Sequence, residues 1–359
     1  MPALPLSRPP QLPRPTLRRR GALAALATAP WWPPLARADD LPLRLRLDWR
    51  IEGPSALFLW PLAKGYFRDE KLAVTVDEGS GSGSAVNRVA SGQCELAFAD
   101  LSALMEFHAN NPGAPNLPVA VMVVYNNTPS AVVALRRSGI RAPADLTGRR
   151  LGAPVFDAAR RAFPIFQKAN GVGTVQWVSM DPPQREAMLL RGEVDAITGF
   201  TFTSQLNLLA AGARAEELVV MAYPDHGVKL YGNVIVAGAD LLRRRPDAVR
   251  GFLRAFARGT REVLAHPPAA AALVKARDPS VDQALEERRL RMAVRAVLDT
   301  PDARREGFGD LSAPRLALMA SQVADAYGTP RRVDPDAVWN GSLLPSARER
   351  AVLPGQRGA

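Results

Sequence analysis

Short apolar strands and helices alternate along the chain from residue 43 to residue 236, and this order constrains the fold more than any other feature. Residues 43–47 alternate leucine with arginine, as a strand with one buried face does. The first predicted elements are a strand at 43–47, a helix at 55–63, a strand at 72–76, a helix at 85–91 and a strand at 95–99. This order predicts mostly parallel α/β sheets, with ligand loops at the carboxyl ends of the strands.

A second α/β unit is predicted after a break in the apolar pattern at 126–128. Residues 223–227 have a turn-forming composition and are predicted to return the chain to the first sheet at 232–236. From residue 239 onward, apolar residues recur three and four apart, which is typical of helices. The predicted organisation is an export signal at 1–38, lobe I at 39–127 and 229–345, lobe II at 128–228, and a disordered polar tail at 346–359.

Residues 1–38 differ in composition from the rest of the chain. The run Arg18-Arg19-Arg20 precedes an apolar stretch at 21–35, and Ala36-Arg37-Ala38 forms a small-x-small site. This combination is typical of a secretory signal peptide, and the apolar stretch is too short to span a bilayer. The adjacent arginines fit either the general or the twin-arginine export route. The alternative is a disordered basic arm.

Charge and cysteine content exclude several classes of function. The net charge is +11, but six arginines lie in residues 1–38 without an acid, so the remainder carries about +5. Acidic residues are interleaved with the remaining arginines, whereas a nucleic-acid-binding protein more often has a concentrated basic stripe. The single Cys94 excludes a disulfide framework and a cysteine cluster for zinc. We therefore expect no nucleic-acid partner and no metal. We also expect no cofactor, and a monomer.

Several motifs resemble those of a known family of binding proteins. They are Leu47-Asp48-Trp49, Ala63-Lys64-Gly65-Tyr66-Phe67, the Gly/Ser loop at 79–84, Phe98-Ala99-Asp100, residues 140–152, and Gly192-Glu193-Val194-Asp195-Ala196. In this order they resemble the substrate-binding proteins of nitrate/sulfonate/taurine and thiamine-pyrimidine-precursor importers. The resemblance covers roughly residues 43–265.

The resemblance implies a fold and a function. The implied fold is the type II periplasmic-binding-protein fold, with two α/β lobes joined by two crossovers, C-terminal helices, and a ligand in the cleft. The implied function is that of a non-catalytic periplasmic receptor, which closes on a small polar solute by a hinge motion and delivers it to an ABC permease and ATPase.

Candidate ligand residues in lobe I follow the strand ends. Asp48 and Trp49 resemble the pyrimidine-precursor branch of the family, in which an acid and an aromatic face suit a planar amino-heterocycle. The chain departs from that branch directly afterwards, at 50–55, so other planar or amine-bearing solutes remain candidates. The further candidates in lobe I are Glu52, Ser55, Ser80, Ser82 and Asp100. Glu52, Ser55 and Asp100 could instead cap the start of a helix. The Gly/Ser loop that carries Ser80 and Ser82 could instead be only a flexible connection.

Candidate residues in lobe II lie in the loops at 153–160 and 198–203. Asp157 either caps a helix or faces the cleft; in the cleft its carboxylate would repel an anion and accept hydrogen bonds from an amine. Phe156, Phe200 and Phe202 are candidates for packing against the ligand, with ordinary core packing as the alternative. His226, Tyr231 and Asn233 lie at the predicted hinge, where they either contact the ligand, support the conformational change or pack a turn.

Three other functions compete with the pyrimidine-precursor receptor, one of them a sensor or chemoreceptor module built on the same fold. A sulfonate, taurine or nitrate receptor of the same family would hold its anion on backbone N–H groups at helix starts. The superfamily also includes pyrimidine synthases of the thiamine pathway, which use a cysteine-rich iron-binding motif. A chain with one cysteine lacks that motif. We therefore expect a protein that is not an enzyme.

Overall fold

The computed structural model describes residues 40–327 and 333–353, except for the side chain of Tyr327. These residues belong to one compact unit, Leu35–Ala359. The predicted export signal at 1–38 lies outside the described residues. None of the described helices combines the length and the apolar character needed to cross a membrane.

The first sheet has five strands in the order β2-β1-β3-β10-β4. Its strands are β1 Leu41–Arg46, β2 Leu72–Asp77, β3 Leu96–Asp100, β4 Val119–Val123 and β10 Asn233–Ala237. β1 is parallel to β2 and β3, and β10 runs antiparallel to β3 and β4. Leu43 and Leu45 are buried while Arg44 between them is exposed, as the alternating pattern predicts.

The second sheet also has five strands, in the order β7-β6-β8-β5-β9. Its strands are β5 Ser130–Leu135, β6 Arg150–Gly152, β7 Gln176–Val178, β8 Ala196–Phe200 and β9 Leu218–Ala222. β6 is parallel to β7 and β8, and β5 is antiparallel to β8 and β9. β5 is buried along its whole length because helices cover both faces of the sheet.

The two sheets share one topology. β10 lies next to the central strand of the first sheet, and β5 lies next to the central strand of the second. Each of them is antiparallel to its neighbours and is the strand that the chain enters after crossing from the other sheet. The crossings occupy residues 124–129 and 223–232 and include the predicted crossovers. Hereafter, lobe I means the first sheet with the helices packed on it, and lobe II means the second. The predicted lobe boundaries stay predictions.

Helices connect the strands within each lobe. In lobe I they are α1 Ala56–Ala63, α2 Tyr66–Asp69, α3 Ser82–Ala90 and α4 Leu101–Asn110; in lobe II they are α5 Ala158–Ala169, α6 Arg185–Arg191 and α7 Thr201–Ala210. α3 begins three residues earlier than predicted. Ser82, predicted to lie in a Gly/Ser loop, is therefore buried in the first turn of a helix.

The C-terminal part of the chain is helical, as predicted. Its helices are α8 Ala239–Arg244, α9 Pro246–Ala265, α10 Pro267–Arg277, α11 Gln283–Ala293, α12 Pro301–Glu306, α13 Ala313–Tyr327 and α14 Pro335–Val338. The long helix α9 packs on α1, with the rings of Phe256 and Phe58 4.8 Å apart. α13 contacts both α4 of lobe I and α5 of lobe II.

The prediction of a disordered tail from residue 346 is wrong for residues 346–353. Val352 and Leu353 are buried in the core of lobe I. Arg261 of α9 donates hydrogen bonds to the carbonyl oxygens of Glu349 and Ala351, which fixes this segment against the helix. Burial of these two apolar residues, near the end of an otherwise polar sequence, holds the segment 346–353 on lobe I. Residues 354–359 lie outside the described part of the chain.

Candidate functional site

A cavity of about 40 Å³ lies between the two lobes, where the carboxyl ends of strands from both sheets meet. A cavity of this size holds a few water molecules. Its lining residues are Leu47, Asp48, Trp49, Arg50, Glu52, Pro54, Ser55, Phe58, Gly81, Ser82, Phe98 and Tyr125 from lobe I, and Asp157, Ala158, Arg185, Phe200, Phe202 and Thr203 from lobe II. A solute larger than water can therefore enter only when the lobes move apart. This space is called the interlobe cavity below.

Asp48 is the central acceptor on the lobe I wall. It follows β1, is 7% exposed, and its Oδ2 accepts hydrogen bonds from Asn233 Nδ2 at 2.8 Å and Ser82 Oγ at 3.2 Å. Ser82 Oγ also accepts the backbone N–H of Asp100 at 3.0 Å. Three segments that are distant in sequence therefore fix the position of this carboxylate.

Burial changes the protonation of the acids around the interlobe cavity. It raises the pKa of Asp48 from 3.8 to about 7, although the Asn233 and Ser82 hydrogen bonds act in the opposite direction. It raises the pKa of Asp100 to about 6. Asp48 therefore gains or loses its proton near neutral pH, and only the ionised form presents two acceptor oxygens.

Aromatic side chains form much of the cavity wall. Phe200 and Phe202 pack with ring centroids 5.7 Å apart, and Tyr125 meets Phe202 edge-on at 6.0 Å. The indole N–H of Trp49 is buried and has no hydrogen-bond partner within residues 40–327 and 333–353. A buried donor of this kind is normally satisfied by water or a ligand. Nε of Arg50, another lining residue, is a second buried donor without a partner among the described residues. The wall thus combines flat apolar faces with two free donors.

Arg185 is a buried cation in the lobe II wall. Its side chain is 1% exposed and lies over the ring of Trp49, with 4.8 Å from Cζ to the ring centroid. Nη1 donates to Asp157 Oδ2 at 3.2 Å, and Nη2 donates to Glu186 Oε1 at 2.8 Å. Burial raises the pKa of Asp157, and the charge of Arg185 opposes that rise. The acid predicted to select a cation is therefore already paired with one.

Glu52 links the two lobes across the interlobe cavity. Its Oε2 accepts a hydrogen bond from Thr203 Oγ1 of lobe II at 2.7 Å. Ser55 Oγ accepts the backbone N–H of Glu52 at 3.1 Å, so Ser55 fixes the loop at the start of α1 as well as lining the cavity.

Eight of the predicted ligand residues line the interlobe cavity. They are Asp48, Trp49, Glu52, Ser55, Ser82, Asp157, Phe200 and Phe202. Asp157 also caps α5, accepting the backbone N–H of Arg160 at 2.9 Å. Asp157 therefore caps a helix and faces the cavity at the same time, while its predicted role toward an amine stays a prediction.

Asn233 and Asp100 support the wall without lining it. Asn233 is fully buried and positions Asp48. Asp100 caps α4, because its side chain accepts the backbone N–H of Ser102 at 2.8 Å. This is the helix-capping role predicted from the sequence as the alternative to ligand binding.

The remaining four predicted residues lie away from the cavity. Ser80 is exposed, because α3 begins at Ser82 and leaves Ser80 in the turn before it. Phe156 is 44% exposed at the cleft edge, where its backbone oxygen accepts the N–H of Gly83 and its ring lies beside Gly83 of lobe I. His226 packs its ring against Phe166. Tyr231 donates to Glu306 and accepts from the backbone of Ser312, so it holds the C-terminal helices.

The comparisons with known proteins agree with this architecture. The sequence model of the family described as NMT1/THI5 like matches residues 55–270. The chain belongs to the NMT1/THI5-like family. The match begins just after Asp48, Trp49 and Glu52 and ends before α11, so parts of the site and its surroundings lie outside it.

Curated relatives align with part of the chain. A protein of Haemophilus influenzae named for thiamine biosynthesis is 26% identical over 63% of this chain and 70% of its own length. The riboflavin-binding protein RibY of Chloroflexus aurantiacus is 27% identical over 57% of each chain. The 4-amino-5-hydroxymethyl-2-methylpyrimidine phosphate synthase of Aspergillus parasiticus is 26% identical over 58% of this chain and 62% of its own.

Solved structures share the fold. The alkanesulfonate-binding protein SsuA of Xanthomonas axonopodis pv. citri, bound to MOPS, has a TM-score of 0.66 at 16% identity and covers 84% of this chain and 99% of its own. The periplasmic aliphatic sulphonate binding protein SsuA of Escherichia coli has a TM-score of 0.63 at 15% identity over 88% and 94%. The predicted type II periplasmic-binding-protein fold and the predicted family are both confirmed.

Arg185, Thr203 and Tyr125 line the cavity and are absent from the sequence-based predictions. Arg185 begins α6 after a Pro-Pro pair, and no local pattern distinguishes it from a surface arginine at a helix start. Thr203 carries a usable signal, because it lies in the first turn of α7, directly after the predicted residues Phe200 and Phe202. Tyr125 directly follows a buried strand, as Asp48 does.

Gly81 allows the backbones of the two lobes to approach closely. A Cβ at this position would lie 2.2 Å from the backbone oxygen of Phe156 in lobe II, and the backbone φ of +133° already disfavours other residues. Gly92 offers a matched control, because its φ is +72° but nothing lies within 4 Å of its Cβ direction. A comparison of alanine substitutions at the two positions therefore separates the interlobe contact from backbone strain.

Gly81→Ala is expected to hold the lobes apart. Because a backbone oxygen cannot rotate away as a side chain does, the closed arrangement becomes less populated, and the radius of gyration in small-angle scattering rises. Gly92→Ala is expected to cost about 1 kcal/mol of stability through backbone strain and to leave the radius of gyration unchanged. Equal radii for the two variants would show that a Cβ at position 81 does not oppose closure.

Proposed function

We propose that this protein is a solute-binding receptor that closes its lobes around a small planar solute with hydrogen-bond donor groups. The observation that carries the proposal is the interlobe cavity, in which the ionisable acceptor Asp48 faces aromatic walls and a free indole N–H. Cavities between two α/β lobes, apolar with a few convergent polar groups, are typical small-molecule sites.

A nitrogen heterocycle fits this chemistry. Amino groups on its edge would donate to Asp48, a ring acceptor would take the Trp49 N–H, and the ring faces would pack on Phe200 and Phe202. The curated relatives support this choice, since their names concern thiamine biosynthesis, riboflavin binding and an aminopyrimidine phosphate. We therefore favour an aminopyrimidine or another planar amino-heterocycle.

A sulfonate is the second candidate, and Arg185 is the observation that favours it. A buried guanidinium in the wall would attract an anion, and the solved structures with this fold include sulfonate-binding proteins. Three hydrogen bonds from Arg185 already go to Asp157 and Glu186, however. Two carboxylates against one guanidinium leave no surplus positive charge there, so we rank the sulfonate second.

An enzymatic role has one supporting relative, the pyrimidine phosphate synthase. A cysteine nucleophile does not fit the site. Cys94 is the single cysteine of the chain, it is buried away from the interlobe cavity, and burial raises the pKa of its thiol to about 11. Thiols become reactive when their pKa falls, not when it rises. A receptor that lacks catalysis is therefore our proposal.

Delivery and location follow from the same proposal. The signal-like segment at 1–38 supports export to the periplasm, and the shared fold with binding proteins of ABC-type import systems supports an ABC permease and ATPase as partners. In this role the receptor acts as a monomer that presents its closed form to the permease.

Solute binding at two pH values tests the proposal and separates the two ligand classes. Thermal unfolding with 4-amino-5-hydroxymethyl-2-methylpyrimidine, riboflavin, an alkanesulfonate and nitrate is followed by calorimetry of any hit. We expect an aminopyrimidine at 100 times its Kd to raise Tm by about 4 °C.

The direction of the pH dependence is part of the test. Because Asp48 loses its proton near pH 7, affinity for a donor-bearing heterocycle should rise between pH 6 and pH 8. Affinity for a sulfonate should fall over the same interval, since the ionised carboxylate repels it. If no solute raises Tm, and native mass spectrometry of the purified protein detects no bound molecule, the receptor proposal is refuted.

A further inference from the structure

Helix α11 lies beyond the segment matched by the family model and packs against the loop between β1 and α1 of lobe I, which carries Glu52 and Gly53. Gly53 of that loop donates its N–H to Glu286 Oε2 at 2.5 Å. A Cβ at Gly53 would lie 2.3 Å from the backbone oxygen of Glu286 and 2.8 Å from the nitrogen of Leu290. The backbone of α11 is thus pressed directly against the loop that carries Glu52. The same helix also contacts α7 of lobe II.

Arg289 of α11 connects this contact to lobe II. Its side chain is 2% exposed. Nη1 donates to the carbonyl oxygens of Phe202 at 2.9 Å and Thr203 at 3.1 Å, and Nη2 donates to Asn207 Oδ1 at 2.8 Å. Nε and Nη2 donate to the carboxylate of Glu286. A guanidinium has five N–H groups, and these five bonds use them all.

The residues that Arg289 holds are those that shape the interlobe cavity. Phe202 and Thr203 line it, and Thr203 Oγ1 donates to Glu52, whose Oε2 lies 3.8 Å from Arg289 Nε. Lobe I carboxylates and lobe II carbonyls therefore share one buried cation. Moving the lobes apart would break the bonds to α7 and leave the guanidinium with only its lobe I partners.

We propose that Arg289 is an interlobe latch, a positioning residue that holds α7 against lobe I and stabilises the closed arrangement before solute binds. The role of this latch in solute capture rests on the proposed function. The latch itself does not depend on that function, because it acts in the solute-free protein. A buried guanidinium suits this role, since it can donate to a carboxylate and to main-chain oxygens at the same time in fixed directions.

Interlobe distances in the solute-free protein test the latch. Glu78→Cys and Ser179→Cys place spin labels after the edge strands β2 and β7, at exposed positions in lobe I and lobe II. The native Cys94 is buried, so labelling is selective for the new thiols. Double electron–electron resonance then gives the populations of closed and open molecules.

Two latch variants with matched controls are compared in this labelled protein. Arg289→Met removes all five bonds, and Arg291→Met on the exposed side of the same helix removes only a surface pair with Glu287. Asn207→Ala removes one bond to lobe II without leaving a buried charge unpaired, so it keeps the test valid if Arg289→Met does not fold. Gln205→Ala on α7 is its control. The lysine variant Arg289→Lys keeps the charge but has three donors instead of five.

The expected result is a mainly short distance in the parent protein and in both controls. Asn207→Ala should lower the ratio of closed to open molecules about five-fold, the effect of losing one ordinary hydrogen bond. Arg289→Met should lower it further, and Arg289→Lys should restore it only in part. A parent protein that is open without solute would overturn the latch, as would latch variants with the distance distribution of their controls. Neither outcome bears on whether the protein binds a solute.

Discussion

Replacing Asp48 by asparagine is expected to stabilise the protein at pH 8 and to weaken solute binding. Asparagine has the shape of aspartate, and its side-chain oxygen can still accept the hydrogen bonds from Asn233 and Ser82. Asparagine carries no charge, so its burial does not have the free-energy cost of burying a carboxylate. The proposed function makes Asp48 the acceptor for the solute, and the loss of that acceptor should cost affinity. A residue kept at the expense of stability is typical of a binding site.

The pH dependence of the stability gain follows from the raised pKa of Asp48. The folded protein keeps the proton up to about pH 7, whereas the unfolded chain releases it near pH 3.8. The free energy of unfolding therefore falls as the pH rises through this interval and becomes level above it. Asp48→Asn should recover up to about 4 kcal/mol at pH 8 and less than half of that at pH 5.

Denaturant unfolding at pH 5 and pH 8 measures this difference, and Asp195→Asn is the control. The Arg150 hydrogen bond lowers the pKa of Asp195, so its ionised form is favoured in the folded state. Its stabilising contribution is present at pH 8 and is lost as the pH falls, the reverse of Asp48. Asp195→Asn should cost about 1 kcal/mol or less at pH 8, since the pair is partly exposed. If Asp48→Asn is less stable than the parent at pH 8, burial does not govern Asp48.

The sheets could be predicted from the sequence because their signals are local. Alternating leucines in β1 and the turn residues between β4 and β5 report burial and chain direction within a few positions. The helix-capping alternatives for Asp100 and Asp157 were equally local, since a capping side chain bonds to a backbone group two or three residues ahead. Ser80 lies outside the cavity because α3 begins at Ser82, and the alternating Gly and Ser residues at 79–84 give no signal for that boundary.

The centre of the candidate site depends on contacts between residues far apart in the sequence. Asp157 and its partner Arg185 are 28 positions apart, and Glu52 and Thr203 are 151 apart. No periodicity records such pairings, so the sequence indicated acids at the strand ends without showing which ones were already neutralised. The inference that these acids repel an anion was incomplete for this reason. Ionised Asp48 would still repel an anion, because its hydrogen-bond partners are neutral.

Arg185→Met is expected to destabilise the protein more than any other single change in the cavity wall. The variant leaves Asp157 and Glu186 buried without their counter-charge, which should cost about 3–5 kcal/mol at pH 8. Without the guanidinium, which lowers the pKa of Asp157, this carboxyl should bind a proton more readily in the folded state. The loss of stability should therefore be smaller at pH 5 than at pH 8, because protonation removes an unpaired charge.

Arg160→Met is a matched control, because Arg160 also lies over a tryptophan, with 4.7 Å from Cζ to the ring centroid of Trp177. Its guanidinium donates to the Ala153 carbonyl and the Ser179 hydroxyl, so its removal should cost about 1 kcal/mol with little dependence on pH. Adding Asp157→Asn to Arg185→Met should recover part of the loss, since asparagine still caps α5. Equal, pH-independent losses for the two arginine variants would show that Arg185 acts through its stacking on tryptophan. A larger loss at pH 8, reduced by Asp157→Asn, would instead establish it as the counter-ion of the lobe II wall.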